Sequence, residues 1–345
     1  MRHEEHGGWR PEAIRRICVL RPLQLGDLIC ATPALRALRH GFPQAHIDLI
    51  GLPWAREFVA RCSHLVDGFI AFPGYPGLPE REPDLRRIPS FFADVQALEY
   101  DLAVQLHGSG GLTNPITSML GARRMACFVK HGDWRPEQAL AIPYPEGRHE
   151  VHRLLALVEA LGAPAEGDAV EFPVTHGDHL ELAVALEGRD LPRSYAVVHP
   201  GSRAPERRWP VERFAAVADG LARMGVHVVL TGSDEEAPLI ASLEDAISAP
   251  ATNLCGRTSI GALAALIARA GLVVSNDTGV SHIAAGVGAP SVVIFLASEP
   301  ARWAPLDGSI HRVVEPSLTL GGPHAELVLA EAESLLRVEA PVAAG

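Results

Sequence analysis

The polar turn at residues 275–282 carries the side chains with the clearest chemical potential. An apolar strand pattern ends there in Asp277-Thr278-Gly279, and His282 lies one helical turn further along. The free N–H groups and partial positive charge of a helix N-terminus favour phosphate. The pattern therefore predicts a phosphate-binding turn. The alternative is purely structural, with Asp277 or Thr278 capping the helix and His282 packed in the core.

A second polar loop follows another predicted strand and ends in two arginines. It contains Gly201 and Ser202, which can offer backbone and hydroxyl donors, and then Arg207 and Arg208. A guanidinium group can stabilise the charge that develops on a departing diphosphate. The alternative is a pair of solvated arginines on a surface loop.

Two carboxylates also follow predicted strands. Asp27 comes after the first strand, where a carboxylate can act as a general base or cap a helix. Thr32 before Pro33 is typical of a helix start, although the helix can instead begin at Gly26. Glu235, in the turn after a later strand, can accept a hydrogen bond from a ribose hydroxyl or lie on a solvated helix start.

Several common catalytic motifs are absent from the sequence. It has no G-x-G-x-x-G and no Walker A pattern, which argues against a dehydrogenase or a P-loop enzyme. Without G-x-S-x-G, residues 107–111 have no hydrolase nucleophile to serve. His149 and His152 are three residues apart, unlike the histidines of a zinc protease, and we interpret them as part of a surface helix. D-x-D is absent too, so no metal site is predicted.

Short apolar runs alternate with helical patterns along the chain, which is typical of α/β proteins with parallel sheets. A chain of 345 residues exceeds the usual size of one domain. We predict a first domain at residues 1–180, a second at 190–322, and a C-terminal helix and tail at 323–345 that packs back onto the first domain. The Pro-, Gly- and charge-rich segment 165–192 is the predicted linker. Because ligands bind at the carboxyl ends of parallel strands, we expect the active site in the cleft between the domains.

The composition narrows the partners and the compartment. The net charge is −11 and no dense Lys/Arg run occurs, which argues against nucleic acid as a partner. The five cysteines form no C-x-x-C pair, which predicts reduced, buried thiols in a cytoplasmic protein. The polar N-terminus lacks the apolar core of a secretion signal, and no apolar stretch approaches the ~20 residues of a membrane span.

Four motifs occur in the order and at the spacings seen in glycosyltransferase family 9, the ADP-heptose:lipopolysaccharide heptosyltransferases. They are Arg21 with Leu25-Gly26-Asp27-Leu28 and Thr32-Pro33; His199-Pro200-Gly201 with Arg208-Trp209-Pro210; Asn276-Asp277-Thr278-Gly279 with His282; and Ala301-Arg302-Trp303 with Pro305. The chain resembles this family over residues 15–310. The resemblance implies a GT-B fold, in which two Rossmann-like domains face each other, the first holding the acceptor and the second the nucleotide sugar. It also implies inverting transfer from ADP-L-glycero-D-manno-heptose, with no cofactor and no essential metal.

The resemblance further implies roles for particular residues. Asp27 resembles the general base that deprotonates the acceptor hydroxyl, and Arg207 stands where the family usually has a lysine at the diphosphate. The implied donor-binding residues are Gly201, Ser202, Arg208, Glu235, Asp277, Thr278, Gly279 and His282, and the acceptor-side residues are Gly26 and His107. Within this set Asp277 would face the donor sugar and Glu235 the ribose.

The sequence departs from the family pattern mainly on the acceptor side. Pro22-Leu23-Gln24 replaces the usual small polar residues, and the loop at residues 73–90 and the run at 107–111 also differ. Long loops of this kind often act as lids or binding loops. The acceptor is therefore left open among a glycan, a lipid-linked oligosaccharide, a protein side chain and a small metabolite. A lipid-linked acceptor would imply weak contact with the inner membrane surface.

Two other functions are compatible with these residues. A nucleotide-sugar epimerase or hydrolase would use the same fold and donor site. A non-catalytic nucleotide-sugar-binding module would need no base. The presence of Asp27, Arg207 and His282 together favours the transferase.

Overall fold

The chain divides into two compact units between Val170 and Glu171. The computed structural model describes residues 13–315 and 324–338. The division lies inside the segment 165–192 predicted as a linker, but residues 171–180 fall in the second unit rather than the first. Each unit is built around one parallel sheet of six strands.

The first unit alternates strands and helices from its first described residues onward. Its strands are β1 (Arg16–Leu20), β2 (His46–Gly51), β3 (Gly68–Ala71), β4 (Leu102–Gln105), β5 (Arg124–Val129) and β6 (Leu140–Pro143). Its helices are α1 (Leu25–Gly41), α2 (Ala55–Arg61), α3 (Ile88–Gln96), α4 (Thr113–Ser118) and α5 (Glu150–Ala160). The strands lie in the order β3-β2-β1-β4-β5-β6, and all pairs are parallel.

The second unit repeats this topology. Its strands are β7 (Tyr195–His199), β8 (His227–Leu230), β9 (Ala251–Asn253), β10 (Leu272–Asn276), β11 (Ser291–Ile294) and β12 (His311–Val314). Its helices are α6 (His176–Ala185), α7 (Val211–Arg223), α8 (Ala237–Ala246), α9 (Ile260–Ile267), α10 (Gly279–Val287), α11 (Pro300–Trp303) and α12 (Ala325–Val338). The order is β12-β11-β10-β7-β8-β9, again with parallel pairs only. The predicted α/β class, with two Rossmann-like units, is confirmed.

Continuous apolar runs explain the central strands. Ile17, Cys18, Val19 and Leu20 of β1 are completely buried, as expected for a parallel strand covered on both faces. The middle strand of the second sheet behaves in the same way, since every residue of β10 is buried. The loops that carry the polar side chains therefore follow strands at the buried centres of the two sheets.

Helix α1 begins at Leu25, within one residue of the alternative start at Gly26 and well before Thr32-Pro33. Pro33 lies inside the helix and has no N–H for the carbonyl of Ile29. The hydroxyl of Thr32 donates to that carbonyl instead, at 2.8 Å. The lost backbone bond is thus replaced, and Asp27 lies in the first turn of the helix.

The C-terminal helix α12 packs on the second unit. Val328, Ala332 and Leu335 share a buried core with Phe214 of α7. A Cβ atom at Gly220 would lie 2.5 Å from Leu329, so the glycine permits this close approach. This corrects the expectation that the helix crosses back onto the first unit, because its apolar face is buried against α7. No helix in the described part of the chain is long and apolar enough to cross a membrane.

Candidate functional site

The order of the first sheet reverses between β1 and β4, and this places two of the predicted residues near each other. Leu20 and Gln105, the last residues of these strands, are paired in register. The loops that follow carry Asp27 and His107. We call the loops at this end of the strands the first edge. Crevices at such a reversal are the usual ligand sites of open parallel sheets.

Asp27 is held in place but remains reachable. One carboxylate oxygen accepts the N–H of Gln24 at 3.3 Å, and the other lies 3.9 Å from the Arg21 guanidinium. The side chain is 22% exposed. Asp27 therefore does help to cap helix α1, as the structural alternative predicted, yet part of its carboxylate is open to solvent. Gly26 precedes it in the same helical turn and is half-buried.

The fully buried Arg21 ties three segments to this carboxylate. Its Nε donates to the carbonyl of Asp27 at 2.8 Å, and a second nitrogen donates to the carbonyl of Leu106. Its remaining nitrogen lies 3.2 Å from an oxygen of Glu150 at the start of α5. The loops after β1 and β4 are thus joined by one guanidinium group.

Glu150 was missed because its surroundings were interpreted as a surface helix. His152 is exposed and lies 2.9 Å from Asp168, as that interpretation predicts. Glu150, however, is only 3% exposed, and its second oxygen lies 2.5 Å from Arg153. The signal that could have revealed it is helical spacing, because Glu150, Arg153, Leu154 and Leu157 share one buried face.

His107 is buried at the first edge and linked to the loop predicted at residues 73–90. Its Nε2 lies 3.2 Å from a carboxylate oxygen of Glu80. Its carbonyl accepts hydrogen bonds from Gln105 at 2.6 Å and Thr113 at 2.8 Å. Among the described residues, none lies within hydrogen-bonding distance of its Nδ1. The long loop is therefore anchored beside the carboxyl ends of β1 and β4.

The second sheet reverses between β7 and β10, and we call the loops at that end the second edge. Asn276, the last residue of β10, joins the two loops there. Its side-chain nitrogen donates to the carbonyl of Pro200 at 2.7 Å, and its oxygen accepts the N–H of the buried Trp209 at 3.0 Å. Sequence reasoning treated Asn276 as part of a motif and missed this bridging role.

Asp277 and Arg207 meet at the second edge. A guanidinium nitrogen of Arg207 lies 3.3 Å from one Asp277 oxygen, and Ser298 donates to the same oxygen at 2.5 Å. The other oxygen is 4.0 Å from Nε2 of His282. Asp277 is buried, whereas the Arg207 side chain is 39% exposed. The arginine can therefore turn towards a ligand while Ser298 continues to hold the aspartate.

Thr278 precedes the first residue of α10, Gly279, as the turn pattern predicted. The Thr278 carbonyl accepts the Ser281 hydroxyl at 2.7 Å, and both Thr278 and Gly279 are half-buried. His282 lies one turn further and is buried, with its ring edge-to-face with Trp303 at 6.3 Å. The helix start therefore offers N–H groups beside a histidine held by an aromatic ring.

Gly201 and Ser202 are buried in the loop after β7. Arg208 is exposed, and its Nε donates to the Ser202 carbonyl at 2.8 Å, so it stabilises its own loop. A Cβ at Gly201 would lie 2.1 Å from a carboxylate oxygen of Glu236. That position thus admits no side chain unless Glu236 moves.

The residue that approaches this loop is Glu236, the neighbour of Glu235, which was predicted to contact the ribose. Glu235 is exposed in the short 3-10 turn at Asp234–Glu236. Glu236 accepts the N–H of Ser233 at 2.9 Å and lies 4.0 Å from the buried His199. Burial lowers the pKa of His199 despite the nearby Glu236 carboxylate, which acts in the opposite direction. Adjacent glutamates in a tight turn point different ways, and spacing alone could not choose between them.

The described residues contain no group of three or more His, Cys, Asp or Glu side chains that could hold a metal ion. The polar groups at the second edge instead suit a phosphorylated ligand. They combine a guanidinium group, a helix N-terminus and hydroxyl groups.

Comparison with known proteins identifies the family. The profile of glycosyltransferase family 9 (heptosyltransferase) matches residues 89–319. Lipooligosaccharide heptosyltransferase 2 of Haemophilus influenzae is 32% identical over 342 residues, covering 90% of this chain and 94% of the relative.

Solved structures share the fold. The Escherichia coli ADP-heptose lps heptosyltransferase II has a TM-score of 0.76 at 22% identity, covering 94% of this chain and 99% of that one. Escherichia coli heptosyltransferase WaaC with ADP-2-deoxy-2-fluoro heptose has a TM-score of 0.65 at 19% identity, covering 94% and 100%. These neighbours agree with the GT-B fold expected from the motifs. The profile match over more than half of the sequence and the 32% identical relative show that this chain is an enzyme belonging to glycosyltransferase family 9, the heptosyltransferases.

Proposed function

We propose that this enzyme transfers heptose from ADP-heptose to a hydroxyl group of a glycan acceptor, with inversion at the anomeric carbon. The observation that carries the proposal is the state of Asp27. It is a carboxylate fixed by Gln24 and Arg21 at a sheet reversal, yet 22% exposed. A fixed, reachable carboxylate is what a general base requires.

In the proposed reaction, an oxygen of the acceptor attacks the anomeric carbon as Asp27 takes its proton. The bond between that carbon and the diphosphate oxygen breaks, and ADP leaves. Arg207 and the N–H groups at the start of α10 would stabilise the negative charge on the departing diphosphate. No metal is needed in this scheme, so we expect EDTA to leave the rate unchanged.

Support for the donor comes from relatives and from the second edge. Two solved neighbours are described as an ADP-heptose heptosyltransferase and as a heptosyltransferase with an ADP-heptose analogue. The second edge also offers hydrogen-bond donors suited to a diphosphate. They belong to Ser202, Arg207, Thr278, Gly279 and His282. We assign the ribose hydroxyls to Glu236, because it lies beside Gly201.

The proposed acceptor is a saccharide of the lipopolysaccharide type. The Haemophilus influenzae relative is named a lipooligosaccharide heptosyltransferase, which supports this choice. Gly26, His107 and the loop bearing Glu80 would contact it. All five cysteines are thiols rather than disulfides, which suits a reducing cytoplasm. A lipid-linked acceptor would bring the enzyme to the inner membrane surface.

The decisive experiment offers purified enzyme ADP-heptose or UDP-glucose with a truncated lipopolysaccharide acceptor. We expect ADP release and a product heavier by one heptose, only with the first donor and only with acceptor present. If UDP but not ADP stabilises the enzyme against heat, ADP-heptose is not the sugar donor. Free sugar or an isomerised nucleotide sugar formed without acceptor would favour a hydrolase or an epimerase.

A further inference from the structure

The buried charges behind Asp27 form a chain that the proposed reaction does not use directly. Asp27 lies 3.9 Å from Arg21, Arg21 lies 3.2 Å from Glu150, and Glu150 lies 2.5 Å from Arg153. Arg21, Glu150 and Arg153 are each at most 3% exposed. Two cations and two carboxylates therefore alternate across the first unit, and only the Asp27 end reaches solvent.

Glu150 divides the influence of Arg21 between two carboxylates. One guanidinium nitrogen, Nη2, faces both Glu150 and Asp27, at 3.2 and 3.9 Å. A cation beside a carboxylate favours its charged form, and a second carboxylate on the same cation weakens that effect. Buried charges are poorly screened, so the contact between Arg21 and Glu150 is strong, and solvent weakens the competition only at the partly exposed Asp27.

Arg153 acts one step further away. Its guanidinium donates to Glu150 and to the carbonyls of Pro145 and Arg148, at 3.2 and 3.1 Å for the two carbonyls. It also lies over the ring of Tyr144, 4.5 Å from the centroid. Arg153 thus holds Glu150 in place and partly neutralises it.

We propose that Glu150 and Arg153 are positioning residues that set the proton affinity of Asp27 through Arg21. The inference rests on the proposed role of Asp27 as the base. In this arrangement Glu150 keeps Asp27 basic enough to take a proton, while Arg21 keeps it ionised and oriented. Neither Glu150 nor Arg153 need touch a substrate.

The other charged groups near Asp27 come from the neighbouring loops and helices of the same unit. The loop after β4 and the loop anchored to it bring His107 and Glu80 to the first edge, paired at 3.2 Å. His149 precedes Glu150 at the start of α5, and His152 on the helix pairs with Asp168. These groups are unchanged in the variants below, so they form a constant background.

Two variants should shift the pH at which Asp27 titrates in opposite directions. Glu150→Gln leaves Arg21 facing Asp27 alone, so Asp27 should titrate at lower pH, by about half to one unit. Arg153→Gln leaves Glu150 free to neutralise Arg21, so Asp27 should titrate at higher pH. The readout is the carboxyl ¹³C shift of labelled aspartate in the whole protein, with the Asp27 signal assigned through Asp27→Asn.

Kinetics give a second readout. The acidic limb of the kcat/KM profile should move in the same direction as the titration for each variant. A weaker base in Glu150→Gln should also lower kcat on the plateau, about three- to tenfold. Glu150→Asp, which keeps the charge, should restore part of the loss.

Asp48→Asn is the matched control, because it also removes a buried carboxylate of this unit. Asp48 lies on β2, where it accepts the Tyr100 hydroxyl at 2.6 Å. It should lower Tm without moving the Asp27 titration. If Glu150→Gln alone does not fold, the double variant Glu150→Gln/Arg153→Gln removes one charge of each sign and should still shift the titration downward.

Equal titrations in wild type, Glu150→Gln and Arg153→Gln would overturn the proposal. Shifts of the same sign in both variants, or a shift in the control, would also overturn it and indicate a packing role. The titration needs no substrate, so it decides this inference even if the enzyme fails to use ADP-heptose. That failure would reject the proposed function separately.

Discussion

The first and second edges belong to sheets with the same strand order, but their charged side chains are buried to different extents. At the first edge a carboxylate is held by a fully buried arginine, with further buried charges behind it. At the second edge the arginine is 39% exposed and the aspartate beside it is buried. The first arrangement fixes a carboxylate that stays partly exposed, whereas the second keeps a partly exposed cation beside a buried carboxylate. A shared strand order thus determines where a site lies, and the burial of each charge determines what it can do.

The sharpest test of this contrast is the loss of the carboxylate at the first edge. Asp27→Asn should lower kcat about 10²- to 10⁴-fold, because proton transfer by a positioned side chain contributes that much. ADP affinity should stay within twofold of wild type by calorimetry. Asp94→Asn, an exposed carboxylate on α3, is the control and should remain active. Near-normal turnover in Asp27→Asn would remove Asp27 as the base.

The second-edge arginine should matter in a different way. Arg207→Ala should lower kcat about 10²-fold and weaken ADP binding, since one donor to developing charge is lost. Arg207→Lys should recover most of the rate because it keeps the charge, although not the forked geometry. Arg203→Ala, an exposed arginine of the same loop, serves as the control. Equal losses in all three variants would point to a damaged loop rather than a lost phosphate contact.

The adjacent residues Glu235 and Glu236 allow the assignment made from the sequence to be compared with the one made from the structure. Glu236→Gln should raise the Kd for ADP about 10- to 100-fold, since hydrogen bonds to charged groups contribute about 1.5–3 kcal/mol. Glu235→Gln, a change of the same kind one residue away, should have a much smaller effect. The comparison requires only calorimetry with ADP. A larger effect for Glu235→Gln would restore the sequence-based assignment.

Acid sensitivity of the second unit affects its stability rather than its activity. Burial lowers the pKa of His311 from 6.5 to about 4. The unfolded chain therefore binds the proton more readily between these values, and stability falls as the pH drops from 6.5 to 4. The limiting loss is about 3 kcal/mol, from ~1.4 kcal/mol per pH unit. His199, whose pKa is also lowered by burial, adds to the loss.

His311→Asn should reduce this acid sensitivity. The variant removes the titrating ring that lies 2.8 Å from Ser291, at some cost in stability at pH 7. Thermal unfolding followed from pH 7 to 4 should show a flatter decline of Tm than in wild type. An unchanged slope would show that other groups govern acid unfolding of this unit.

Local patterns predicted much of the fold and the outline of both edges. The buried strands β1 and β10, the turn before α10 and the arginines after β7 were all identified from apolar runs and turn residues. Of the two starts left open for α1, the structure favours the earlier one near Gly26, because a hydroxyl replaces the hydrogen bond that Pro33 lacks. The C-terminal helix was assigned to the wrong unit because an apolar helix face does not specify its partner.

The sequence by itself determined the α/β alternation, the family and the location of the polar loops at strand ends. These follow from burial and from motifs a few residues long, which are local properties of the chain. Only the tertiary structure decided that Arg21 meets Leu106 and Glu150, which are 85 and 129 positions away. It also decided that Glu236 rather than Glu235 lies beside Gly201. Such pairings depend on how distant segments pack and on the need to neutralise buried charge. The spacing of residues along the chain predicts neither.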